Sequence, residues 1–220
     1  YLQPAELRPG LLEVIASTEG VAPYFDLSFQ HSSPALLRRM RRFGDPDSFL
    51  ELLTRIRGLA SEAGVRSNVI VGFPGETDEE FEDMLGLLEE IRFDHLGAFA
   101  YSEEESTPAA RMEGQVDAAV KRERLERVME VQQAITQEQN ERWIGREVDV
   151  LIDRITGRDM DDPEADAGQR GAVGRTARQA LEIDGMVHID DAAGARAGEF
   201  VRARILDVID NDLKAAILDD

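Results

Sequence analysis

An α/β sheet followed by a small all-β barrel is the architecture this sequence predicts, and three observations carry the prediction. From Phe25 to Tyr101, short apolar runs alternate with helical stretches that start at good caps. Past Pro108 that rhythm gives way to one long polar helix. Beyond Gly145 no helical pattern remains, and five short strand-like runs fill the tail. Repeated strand–helix–strand units favour a parallel sheet with helices outside, in part of a barrel or in a doubly wound sheet. Five short strands in a tail of this length favour a closed barrel.

Element by element, Phe25-Asp26-Leu27-Ser28-Phe29 reads as the first strand. Ser33 then caps a helix with Pro34 at its first position, where the missing N–H has no partner to lose. Asp45-Pro46-Asp47-Ser48 opens the next helix in the same way, with Phe49, Leu52, Leu53, Ile56 and Leu59 on one face. A strand from Arg66 to Val71 runs into the tight turn Gly72-Phe73-Pro74-Gly75. Thr77-Asp78-Glu79-Glu80 is a capping box that predicts a helix to about Ile91. A third strand spans His95 to Tyr101. Asp117 caps the long helix, whose Val120, Leu125, Val128, Val131 and Ile135 are spaced for one buried stripe. The tail strands fall at 148–152, 174–178, 186–189, 199–208 and 214–218. Asp159 to Gln169, rich in Asp and free of large apolar side chains, reads as a flexible loop. There is no internal repeat.

Composition narrows the function. With 42% of its 220 residues hydrophobic, the chain can bury a core. No apolar run approaches the roughly 20 residues that span a bilayer. Tyr1-Leu2-Gln3-Pro4 has neither the basic end nor the apolar stretch of a signal peptide. A cytoplasmic protein is expected, and a monomer. The net charge is −20, from 45 acidic and 25 basic residues. Phosphate backbones are bound through clustered Lys and Arg, so a nucleic-acid partner is disfavoured and a basic one favoured. General acidity of a soluble proteome accounts for the balance equally well. Zero cysteine excludes disulfides, thiolate zinc sites and cysteine-ligated iron–sulfur clusters within this chain. His31, His95 and His188 lack metal-ligand spacing, and no metal ligand is assigned.

The most informative segment is Ile70-Val71-Gly72-Phe73-Pro74-Gly75-Glu76-Thr77. A buried strand ends in a glycine-framed turn and enters a capped helix, at the sheet edge where parallel α/β folds bind ligands. Gly72 and Gly75 permit close approach to the backbone, and Pro74 stiffens the turn. From spacing alone, an ordinary strand–turn–helix explains the same residues.

That segment, with the acidic residues and Phe81 after it, resembles the fifth-strand segment of radical-SAM methylthiotransferases. Asp26-Leu27-Ser28-Phe29-Gln30-His31-Ser32-Ser33 is similar to the family's PLQHSS, with Ser28 where Pro is usual. Arg38-Arg39-Met40-Arg41-Arg42 resembles LRxMRR. Phe99 to Pro108 resembles FxYSxEEGTP, with Ser106 in place of Gly. The long helix and the tail look like the family's linker and TRAM domain. Within the family, Gln30-His31-Ser32-Ser33 and Glu103-Glu104-Glu105 differ from the tRNA-modifying branch, typified by MiaB. Glu182-Ile183-Asp184-Gly185 and Asp210-Asn211-Asp212-Leu213 resemble signatures of the RimO branch.

The resemblance implies the C-terminal part of a TIM-like partial (β/α) barrel over 1–110, a helical linker over 111–142 and a five-stranded TRAM barrel over 143–220. The chain is expected to begin near the end of the third barrel strand, without the family's cysteine-bearing segments. It implies an enzyme that uses S-adenosylmethionine and two 4Fe-4S clusters to methylthiolate the β-carbon of an aspartate in small-subunit ribosomal protein twelve. The cluster ligands would lie outside this chain. A tRNA methylthiotransferase and a non-catalytic TRAM module are the alternatives. By resemblance, the cofactor cradle would take Gln30, Ser32, Gly72, Gly75, Glu76 and Tyr101, and one guanidinium of the Arg38–Arg42 run could meet a carboxylate. Residues 143–220 hold 18 acidic and 10 basic side chains, which suits a basic ribosomal protein. Arg175 with Arg178, and Arg202 with Arg204, are the positions where a small basic patch could form on one strand face.

Overall fold

The computed structural model describes residues 2–157 and 170–218, which form two compact units, Tyr1–Ile135 and Thr136–Asp220. In the first unit, β1 (Tyr24–Gln30), β2 (Gly64–Val71) and β3 (His95–Ala100) pair in parallel in the order β1-β2-β3. Alternation sorts the two faces of this sheet. Phe25, Leu27, Phe29, Val65, Val69 and Val71 are buried in the core against the helices. Phe29 stacks on Phe49 at 4.0 Å and meets Phe93 edge-on at 5.5 Å. Each such ring contributes about 1.5–3 kcal/mol by leaving water.

The helices start where their caps predict. Ser33 Oγ accepts the Leu36 N–H at the head of α2 (Pro34–Arg39). Asp45 and Ser48 form a reciprocal capping box on α3 (Pro46–Leu59), and Thr77 and Glu80 form another on α4 (Asp78–Ile91). One helix escaped the sequence reading. α1 (Pro9–Ser17) has Arg8 at its N-cap with no side-chain bond and Gly10 in its first turn, so its start carries little local signal. Packing of Leu12 into the core supports it instead.

In α5 (Ala118–Glu141) the expected stripe is only half apolar. Val128 and Ile135 are buried and Val120, Leu125 and Val131 partly so, but Arg124, Gln132, Thr136 and Asn140 are buried as well. Gln132 Nε2 donates to Phe93 O at 2.9 Å, which offsets its desolvation.

The second unit is a closed barrel in the order β4-β5-β6-β8-β7. It comprises β4 (Glu147–Thr156), β5 (Gly171–Arg175), β6 (Val187–Ile189), β7 (Phe200–Ile209) and β8 (Asp212–Ile217). β6 and β8 run parallel, and the other pairs are antiparallel. Val150, Ile152, Val187, Ile189, Ala203, Ile205, Leu213 and Ala215 fill the interior. β5 starts three residues before its expected position, because Gly171 and Ala172 pair with Thr156 and Ile155. Irregularities between Ile152 and Arg154 and between Ile205 and Asp207 bend the two long strands, as closure of so small a barrel requires. The expected Asp159–Gln169 loop lies outside the described residues. Among the described residues, no helix is long and apolar enough to cross a membrane.

Candidate functional site

The carboxyl ends of β1 and β2 and the residue after β3 open on a cleft of about 390 Å³. Gln30 and Ile70 line it from the sheet, with Phe73 and Tyr101 beside them. The Arg39–Arg42 stretch forms one wall and Thr107 to Met112 another. Of the six residues expected to cradle a cofactor, Gln30 and Tyr101 reach the lining; Ser32, Gly72, Gly75 and Glu76 are outside it.

Gln30 arrives there through a distortion. Between Leu27 and Gln30 the β1 register shifts by a residue against β2, and Gln30 takes a left-handed φ of 71°. A non-glycine residue held there costs about 1–3 kcal/mol, which points to a role for its placement. Phe73 and Tyr101 meet edge to face at 5.3 Å. The Lys121 ammonium sits 4.9 Å above the Tyr101 ring and donates to Tyr101 O at 3.2 Å. The hydroxyls of Tyr101, Ser32 and Ser28 are buried without a hydrogen-bond partner among the described residues. Buried polar atoms are ordinarily paired, so these three hydroxyls have capacity for a polar ligand or water.

Glu76 is wholly enclosed, and its partners explain why. Oε1 lies 3.0 Å from His31 Nε2, while Oε2 accepts from Arg124 Nη1 at 2.7 Å and from the Gly72 N–H. His31 Nδ1 accepts the Ser33 N–H, which leaves Nε2 to donate to the carboxylate. Arg124 also donates to Asp78 Oδ1 at 2.6 Å, and its guanidinium faces the Phe81 ring at 5.3 Å. One carboxylate thus ties the loop after β1, the turn after β2 and α5 together. Gly72 and Gly75, at φ 72° and 82°, do present bare α-carbons, but Lys121 packs against the first and the Arg39 guanidinium against the second. Arg39 Nη1 donates to Pro74 O at 3.3 Å, so within the basic run this guanidinium is held at the turn.

Glu80 extends the same strapping, accepting from Ser33 Oγ at 2.7 Å. Burial alone would raise its carboxyl, but bonds from Ser33 and Thr77 outweigh that and hold its pKa below the ordinary value. Sequence reasoning gave His31 and Arg124 no role. Arg124 was detectable, since it stands four residues from both Val120 and Val128 on the stripe expected to be buried.

In the barrel unit the two branch-like signatures form one corner. A side chain on Gly185 would strike Asn211 O, and Asp212 accepts the Met186 N–H at 2.8 Å and lies 2.6 Å from His188 Nε2. The arginines of the expected basic patches are engaged. Arg204 and Arg202 donate to Glu147 and Asp149 across the β4–β7 pair, at 2.7 and 3.2 Å. Arg175 is bonded to Asp153, and Arg178 stacks on Trp143 at 4.4 Å.

Comparison with known proteins agrees with both units. Residues 3–88 match the model of the Radical SAM superfamily, and residues 144–218 that of the TRAM domain. The chain is 48% identical over 215 residues to the ribosomal protein uS12 methylthiotransferase RimO of a Nocardioides species, covering 98% of this chain and 43% of that protein. It is 49% identical over 206 residues to the protein of the same name in Saccharopolyspora erythraea, covering 94% and 40%. The chain therefore spans about two fifths of the length of these relatives. In fold it is similar to coproporphyrinogen III oxidase (HemN) of Escherichia coli, described as a radical SAM enzyme. The TM-score is 0.51 at 19% identity, over 62% of this chain and 31% of that one.

Proposed function

This chain belongs to the radical-SAM methylthiotransferase family, RimO type, and on that premise we propose that it serves the methylthiolation of an aspartate β-carbon in ribosomal protein uS12, in the cytoplasm. Residues 1–110 would be barrel, 111–142 linker and 143–220 TRAM domain. S-adenosylmethionine, when bound, supplies the hydrogen abstraction that an unactivated carbon needs, since acid–base residues cannot deprotonate it. The cleft's chemistry fits that cofactor. Gln30 and the Tyr101 hydroxyl, which has no partner among the described residues, offer contacts for its polar atoms, and Phe73 and Tyr101 offer ring faces for adenine; the Ser32 hydroxyl would contribute from outside the lining. The Arg39 wall suits its carboxylate. Gly72 and Gly75 shape the turn along which adenine would lie. Glu76 would act one step back, by holding that turn. The chain has no cysteine, so the ligands of the two 4Fe-4S clusters would come from outside it.

The neutralised arginines of the barrel unit carry the choice of substrate. An RNA surface needs several free cations, whereas here Arg175, Arg202 and Arg204 each face a carboxylate. A net −8, from 10 basic and 18 acidic side chains over residues 143–220, favours a basic protein instead. Titrating the chain with isolated uS12 and with a tRNA anticodon stem-loop across ionic strength tests this. The expected result is salt-sensitive binding to uS12; tighter binding to the RNA would move the assignment to the tRNA-modifying branch. For the reaction, mass spectrometry should find a methylthio group on an aspartate of uS12 when this chain is supplied within a cluster-bearing polypeptide.

A further inference from the structure

The outward face of β6, β8 and β7 differs from the rest of the barrel. Val187, Ile189, Leu213 and Ala215 point inward, so alternation turns Met186, His188, Asp212, Lys214 and Ala216 outward. On β7 Leu206 follows the inward Ile205 and so lies outside, 49% exposed, and the irregularity there leaves Asp207 exposed as well. At the strand end Ile209, paired with Asp212, is 48% exposed.

Between these strands lies a groove of about 360 Å³. Leu206, Ala216 and Ile217 give it an apolar floor, and Asp190 and Asp191 stand on its rim. Among the described lining residues the one cation, Lys214, donates to Asp190 at 2.6 Å. That bond raises the Lys214 pKa, and the charge of Asp207 adds to the effect, so the ammonium sits in an acidic field. Asp212 adds a further carboxylate upstream, bonded to His188. The β4–β7 face differs in its balance: there two arginines, Arg202 and Arg204, match two carboxylates, Glu147 and Asp149, whereas here Lys214 faces Asp190 with Asp191, Asp207 and Asp212 in excess.

Apolar floor and acidic rim together select a partner that offers apolar side chains and cations at once. We propose that this groove is the docking site for an extended, Lys- and Arg-bearing segment of the protein substrate. The proposal rests on the reading that the TRAM unit receives a basic ribosomal protein, and adds the face that does so. Aliphatic side chains of the segment pack on Leu206 and Ile217 and give the complex its lifetime. Its cations are drawn by the excess of Asp190, Asp191 and Asp212 over Lys214, which speeds encounter and makes binding salt-dependent.

The test uses the 220-residue chain with labelled methyl groups, titrated with isolated uS12. Methyl signals of Leu206, Ile209 and Ile217 should shift on binding. Leu206→Ser should weaken binding about tenfold, the effect of losing one buried anchor. D190N/D191N should weaken it about as much at low salt and flatten the salt dependence. Phe200→Ser, at an exposed apolar residue elsewhere on the barrel, should change nothing, and circular dichroism checks that each variant folds. If uS12 binds while both groove variants match the wild type, the groove is not the site, though the substrate reading stands. Groove methyl shifts caused by self-association would assign the face to a second copy and overturn the proposal. If uS12 does not bind, or the anticodon stem-loop binds more tightly, the substrate reading itself fails.

Discussion

In the first unit, Glu76 and Arg124 are sealed from water, their side chains 0% and 6% exposed. In the second, Glu147 and Arg204 make the same kind of bond at 43% and 50% exposure. Surroundings separate their roles. A buried pair forfeits hydration worth several kcal/mol per ion, and only a full set of partners offsets that. Glu76 therefore gathers His31, Gly72 and Arg124 around it, and the three elements they belong to become fixed at the edge of the cleft. The exposed pair forfeits little and contributes little to stability. Its effect is on the field, because it cancels cations that would otherwise attract phosphate.

The sharpest way to break this contrast is Glu76→Ala. It leaves Arg124 and His31 buried without their carboxylate and should cost about 3–5 kcal/mol in urea unfolding of the first unit. A loss below about 1 kcal/mol would place Glu76 in the same class as the exposed pairs. Gly185→Ala comes next. The added methyl meets Asn211 O, and the hairpin must shift, at about 1–3 kcal/mol, measured on the barrel unit.

The third effect is smaller and depends on pH. The Glu80 carboxyl lies below its ordinary value of 4.5, because bonds from Ser33 and Thr77 outweigh the opposing effect of burial. A depressed folded pKa means the contribution is whole above the unfolded value and disappears as pH falls through the folded one. Between about pH 5 and pH 3, wild type should therefore lose more stability than Glu80→Gln. Parallel curves would show that Glu80 contributes no acid-sensitive stability. The smallest effect is expected for Arg204→Ala, whose urea midpoint should stay close to wild type, as exposed pairs usually do. A large shift would show that the cross-strand ladder supports the barrel.

Much of the fold was legible from residues acting over short range. Ser33, Asp45 and Thr77 announce α2, α3 and α4, since a cap and its amide lie two or three residues apart. α1 was missed because its start has no such bond. The five barrel strands were recognised as short strand-like runs beyond the last helical pattern, but their ends were not. The start of β5 depends on Gly171 fitting beside Thr156 and the Ile189 backbone, which no local pattern reveals. At the site, Gln30 and Tyr101 were legible as strand-end residues. That Gln30 would be left-handed followed from a register shift between two strands.

Local chemistry by itself determined the strand and helix types, the glycine-framed turn, the lack of thiolate ligands and the acid excess of the tail. These need only neighbouring residues or a count. Tertiary structure alone decided which charges meet. Glu76 lies 45 residues from His31 and 48 from Arg124, so no periodicity connects them. The same holds for the barrel, where Arg202 stands 53 residues from Asp149 and Arg204 57 from Glu147. A basic patch that strand alternation allows is cancelled by carboxylates on the strand beside it. The carboxylate that sequence position offered to a cofactor is enclosed by the protein's own donors, because a buried charge is stable only where partners from distant elements converge on it.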